Sequence, residues 1–218
     1  MPAPVAHSRI RIPLLTACVI ALGLVGFHTP SNSEITGSAH DFSGVHENGQ
    51  ICIFCHTAHN ADMTTVDAPL WNHEVSTRTY TLYNSPTMDA TTTQPAGVSR
   101  LCLSCHDGTV AVDSYGGSQG VILLGGDLAI GADGLANDHP VSFPYTDALA
   151  DLDGELFPPT SSPSGIGSTI HNDLLIGGSL ECSSCHDVHN GGAAAAVNDN
   201  LLMITQTGSQ LCLTCHDK

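Results

Sequence analysis

Cysteine and histidine recur in this chain at one fixed spacing. Cys52-x-x-Cys55-His56, Cys102-x-x-Cys105-His106, Cys182-x-x-Cys185-His186 and Cys212-x-x-Cys215-His216 account for eight of its nine cysteines. Cys-x-x-Cys alone suits a redox disulfide or half a zinc site. Zinc has no need of a histidine directly after every pair, and eight cysteines in four identical patterns are not a disulfide framework. Repeated Cys-x-x-Cys-His is the attachment pattern of c-type haem. Two thiols form thioethers to the vinyl groups, and the next residue places an imidazole beneath the iron. Four covalently bound haems are expected, with His56, His106, His186 and His216 as proximal ligands.

A haem iron has a second axial position, and its occupant sets the chemistry. The chain holds 13 histidines, far more than the motifs use. His59 and His189 each follow a motif histidine by three residues, in "CIFCHTAHN" and "CSSCHDVHN". That is too close to swing to the far face of the same haem, so each is expected to ligate a neighbouring haem in its own module. His73 follows Trp71 and Asn72. His139 sits between Asp138 and Pro140, and His40 precedes Asp41. These five are the distal candidates, one more than four irons require. His46 and His171 are expected on the surface, and Met63, Met88 and Met203 as fillers beside the macrocycles. No motif has lysine in place of its histidine, which disfavours an enzyme.

The elements that must position these residues show an internal duplication. Beside the matched His-x-x-His motifs, "SRLCLSCHD" matches "SQLCLTCHD". The chain therefore reads as two dihaem modules, about 38–108 and 181–218, within one tetrahaem domain at 28–218. The connection 109–181 reads as a long polar, glycine-rich loop region, with a short strand at 121–124. Aromatics are 5% of the 218 residues, too few for an ordinary core. Flat apolar macrocycles supply the missing interior. The expected fold is mostly irregular coil, with a few short helices wrapped around a stacked haem chain and little sheet.

Residues 1–27 read as an export signal, with Arg9 and Arg11 before an apolar run at 12–27. Its removal leaves Arg78, Arg100 and Lys218 against 21 acidic residues, which excludes nucleic acid as a partner. No stable membrane span is expected after that removal. Cys18 lies within the signal.

The stretches "HDFSG", "ICIFCHTAHNA", "APLWNH", "SRLCLSCHDGTVA", "DHPVSF", "CSSCHDVHN" and "LCLTCHD" resemble the doubled-CxxCH multihaem cytochromes. Over about 38–217 the chain is most similar to the tetrahaem, filament-forming OmcE-type extracellular cytochromes. That resemblance implies bis-histidine haems stacked in a continuous chain. It also implies head-to-tail polymerisation of the protein with itself, one distal histidine being lent by the neighbouring subunit. His40, in an N-terminal arm, is the expected donor. The implied role is long-range electron transfer at the cell surface or outside the cell, to redox partner proteins or extracellular acceptors. A soluble periplasmic or cell-surface tetrahaem shuttle is the alternative.

Overall fold

Each Cys-x-x-Cys-His closes a single helical turn. His56, His186 and His216 donate their backbone N–H to the carbonyls of Cys52, Cys182 and Cys212 at 2.9, 3.0 and 3.0 Å. The fourth motif completes helix α1, Gly97–His106. At 3.6 residues per turn, positions i, i+3 and i+4 share one side, so two thiols and an imidazole face the same way. Helix α4, Gln210–Cys215, carries the last motif. The structure, a computed structural model, describes residues 35–131, 133–189 and 201–218. The expected signal with Cys18 lies outside them. The chain parts into two units, Met1–Ser31 and Asn32–Lys218. Everything below concerns the second.

The duplication is visible in the backbone. After the first motif the chain reverses, and His56 pairs with Trp71 in an antiparallel bridge. Thr57 N–H bonds Leu70 O and Asn72 N–H bonds Cys55 O. After the third motif His186 pairs with Leu202, Asp187 N–H bonds Leu201 O and Met203 N–H bonds Cys185 O. Leu70 and Leu201 both take the left-handed conformation, with φ of 55° and 59°. A branched residue adopts it only where the surrounding bonds over-determine the turn.

The connecting region departs from the expected loop. It holds α2 (Asp147–Asp153), α3 (Ile170–Leu174) and the paired strands β1 (Phe143–Pro144) and β2 (Ser179–Leu180), with Phe143 opposite Leu180. Thr146 and Thr169 cap the two helices, accepting from Leu149 N–H and Asn172 N–H. Gly154 ends α2 at φ 75°, in the left-handed region. Between these elements lies the larger core, of Phe143, Tyr145, Ala150, Ile170, Leu174, Leu175 and Leu180. Each large apolar side chain buried there contributes about 1.5–3 kcal/mol. A smaller cluster joins Tyr80, Leu103 of α1 and Leu135.

The strand expected at 121–124 does not form. Asp113 Oδ1 accepts from Val121 N–H and Ile122 N–H at 2.9 and 2.8 Å, holding that run as an exposed loop. The described residues are mostly coil with short helices and one two-stranded sheet. No helix among the described residues is long and apolar enough to cross a membrane.

Candidate haem centres

Three of the four motif histidines face a histidine from elsewhere in the chain. The ring centres of His56 and His189 are 5.8 Å apart, those of His106 and His40 5.9 Å, and those of His216 and His139 6.3 Å. An imidazole nitrogen lies about 2 Å from a metal it ligates, which puts ring centres on opposite faces of one iron about 6 Å apart. The pairs therefore have the separation that a haem between two axial imidazoles needs. His40 Nδ1 is buried without a hydrogen-bond partner. Among the described residues no three His, Cys, Asp or Glu side chains converge on a point. The donor set is paired imidazoles beside paired thiols, and this fits haem.

Backbone carbonyls fix the tautomers. His56 Nδ1 lies 2.6 Å from Pro69 O, His106 Nδ1 3.1 Å from Leu128 O, and His139 Nδ1 2.9 Å from Pro140 O. A carbonyl accepts only from N–H, so each Nδ1 carries the proton and each Nε2 keeps its lone pair for a metal. Asp187 Oδ1 stands 3.7 Å from His189 Nδ1 and orients that ring in the same sense. Burial, with His106 and His186 nearby, holds His40 below the usual imidazole pKa. Burial, then His139 and Lys218, does the same for His216 against the opposing pull of Asp153 and Glu155. Both shifts favour the neutral ring, the form that ligates.

Two of these contacts bear on the expected ligands. His189 faces His56 of the first module, where the expectation gave it a haem of its own module. The interlocking of the modules brings the second His-x-x-His back onto the first motif. His40 lies against His106 of the same chain. The N-terminal turn positions it, with Asp41 accepting from the N–H groups of Gly37 and Ser43.

His73 is buried, with Nδ1 at 2.8 Å from Glu74 O and Nε2 at 2.9 Å from Ala111 O. Its Nε2 also lies 3.5 Å from Cys105 Sγ, so the ring adjoins the second motif as well as two loop carbonyls. His46 Nδ1 accepts from Asn48 N–H, which leaves the proton on the nitrogen a metal would need. His171 is exposed in α3. His59 is exposed, its backbone N–H bonded to Thr57 Oγ1 at 3.3 Å.

The motifs neighbour one another through their sulfurs. Cys55 is close enough to Cys102 and Cys105 to perturb both, Cys102 and Cys182 perturb each other, and Cys185 perturbs Cys215. Burial pushes Cys55 up to about 11 and Cys105 and Cys215 up to about 12. Sequence reasoning missed two carboxylates beside these thiols. Buried Asp107 takes hydrogen bonds from Ser76 Oγ, Tyr80 Oη, Thr109 Oγ1 and Thr109 N–H. Its signal was present, since Asp also follows the third and fourth motifs. Glu181 is buried before the third motif and has no counterpart in the repeat.

A family model for the doubled CXXCH motif matches residues 176–218. No curated protein matches the chain. The family match supports a multihaem c-type cytochrome, a class engaged in electron transfer, with haem attached covalently through these motifs.

Proposed function

We propose that this protein is a tetrahaem, bis-histidine electron carrier working outside the cytoplasm. The facing histidine pairs at 5.8–6.3 Å carry this reading. Haem supplies a one-electron iron couple when bound. The motif cysteines would hold it through thioethers, carbonyls fix the tautomers of His56, His106 and His139, and the paired imidazoles would serve as its ligands. Two imidazoles per iron would leave it to exchange electrons without binding a reactant. For the third motif, the duplication assigns His59: if His189 serves the haem on His56, His59 serves the haem on His186.

Haem counting on the secreted protein, with electron paramagnetic resonance of its oxidised form, tests the reading. Four haems per chain, all low-spin, are expected. Fewer haems, or a persistent high-spin iron, would sink it.

Head-to-tail polymerisation extends the same reading. With His40 at His106 and His139 at His216, the subunit completes those ligand sets by itself, which favours haem-to-haem contact over a lent His40 as the joint. Little protein covers each haem, and a heterologous contact repeats without closing. Electron microscopy of the natively secreted protein separates the two forms: filaments with a regular repeat support the extracellular conduit, and discrete particles support the shuttle.

A further inference from the structure

The haem-bearing motifs of α1 and of the turn at Cys182–Ser184 meet at one buried carboxylate. Glu181 is 6% exposed. Its Oε2 accepts from Ser99 N–H at 3.2 Å, from Ser99 Oγ and from Ser142 Oγ at 2.9 Å, and its side chain also accepts from Ser184 N–H. Every partner is a donor and none is a cation. A buried carboxylate without a counter-ion is costly, and several donors aimed at it lower that cost.

Its placement explains the donors. Ala96, which precedes α1, gives that helix no side-chain cap. Glu181 caps it from 82 residues away, at the end where the helix dipole favours a negative charge. The same carboxylate caps the turn of its own motif. Ser99 Oγ, bonded to Glu181, also accepts from Cys182 N–H at 2.9 Å. Ser142, adjoining β1, ties in the connecting region, and its N–H bonds Leu180 O at 2.7 Å. One carboxylate thus joins the end of the first module, the start of the second and the region between them. The thiols of Cys102 and Cys182 lie close enough across this junction for each to shift the other.

We propose that Glu181 is a positioning and tuning residue. It locks the haem carried by Cys102 and Cys105 against the haem carried by Cys182 and Cys185, and its fixed negative charge lowers the potentials of both. The inference rests on the tetrahaem reading above. A negative charge in a low-dielectric site stabilises the ferric over the ferrous iron. The effect falls with distance, so it is concentrated on the two haems whose motifs Glu181 joins.

The test compares wild type, Glu181→Gln and Ser142→Ala by spectroelectrochemical titration, with haem content measured first. Wild type lacking four haems would overturn the underlying reading and not merely this inference. With four haems present, Glu181→Gln is expected to raise the potentials of two haems and leave the others unmoved. Ser142→Ala keeps the charge but removes a donor that offsets it, so the same two potentials should fall. A purely structural role would move both variants in one direction. Four loaded haems with unshifted potentials in Glu181→Gln overturn the proposal. Should that variant fail to load haem, Ser142→Ala decides, and an unchanged or raised potential there overturns it equally.

Discussion

Replacing His189 by alanine tests the cross-module ligand directly. The pair at stake has ring centres 5.8 Å apart and near-parallel planes, at 27°. The thioethers at Cys52 and Cys55 do not involve His189, so haem content should stay at the wild-type level. One iron in four loses an axial nitrogen, and about a quarter of the low-spin intensity should convert to high-spin. Free imidazole in the buffer should restore it, because the vacated position is solvent-accessible on the side where His189 was half exposed (54%). Electron paramagnetic resonance and the visible charge-transfer band both read this change. The location of the affected iron is settled by combination. With Cys52→Ala and Cys55→Ala added, the iron that lost its ligand is gone, and the high-spin signal should vanish. A fully low-spin His189→Ala protein would refute the assignment. So would a high-spin signal that survives the added cysteine changes, which would place His189 on another haem.

His73→Ala should leave every haem low-spin yet cost about 2–4 kcal/mol, from an emptied buried site and one abandoned carbonyl. Thermal melting with parallel spectra checks both halves. Asp107→Ala orphans the hydroxyls of Ser76, Tyr80 and Thr109 and should destabilise by about 2–4 kcal/mol. Burial acts to raise the Asp107 pKa, but hydrogen bonds from Ser76, Thr109 and Tyr80 outweigh it and hold the group below 3.8. Its stabilisation is therefore complete above the ordinary carboxylate range and is lost as pH falls through that depressed value. An Asp107→Asn melt series should be flatter over that acid window than wild type. Added calcium or salt should promote self-association, given 21 acids against five cations; light scattering that does not change with either removes screening as the control.

How much was legible in the sequence depended on whether a residue's role is local. The helical turn at each motif, the duplication and the coil-rich fold follow from spacing that repeats. Even the left-handed Leu70 and Leu201 sit at offsets that differ by only one residue, although nothing in a leucine announces φ near 55°. The core did not show. Phe143, Tyr145, Ile170, Leu174, Leu175 and Leu180 are scattered among Ser, Gly and Pro, with too short a run at any place for a periodicity to emerge. Tertiary packing alone assembles them. Among the distal candidates, His73 and His139 look alike in sequence, since each has an acidic neighbour and an aromatic or proline nearby. What separates them is a backbone carbonyl: Ala111 O meets Nε2 of His73, whereas in His139 the contact is at Nδ1. Carbonyl positions depend on the fold of the whole loop and carry no residue-type signal.

As ligand pairs, the facing histidines would also explain how so little protein core holds the described residues together. Each pair joins segments far apart in the chain: the N-terminal turn to α1, the first motif to the third, and the connecting region to the last motif. With haem in place, each axial bond closes a long loop, and closing long loops removes the most freedom from the unfolded chain. The protein core lies in the connecting region, where the haems are not attached. On the proposed reading the macrocycles would hold the two modules, where the apolar cluster is smaller. The modules are consequently unequal when separated. A fragment of the first module keeps His40 for His106 but loses His189 for His56. A fragment of the second keeps neither His139 for His216 nor, by the duplication, His59 for His186. The first should retain one low-spin haem of two, and the second none, so the duplicated sequence does not encode two independent carriers but one unit closed by exchange of ligands.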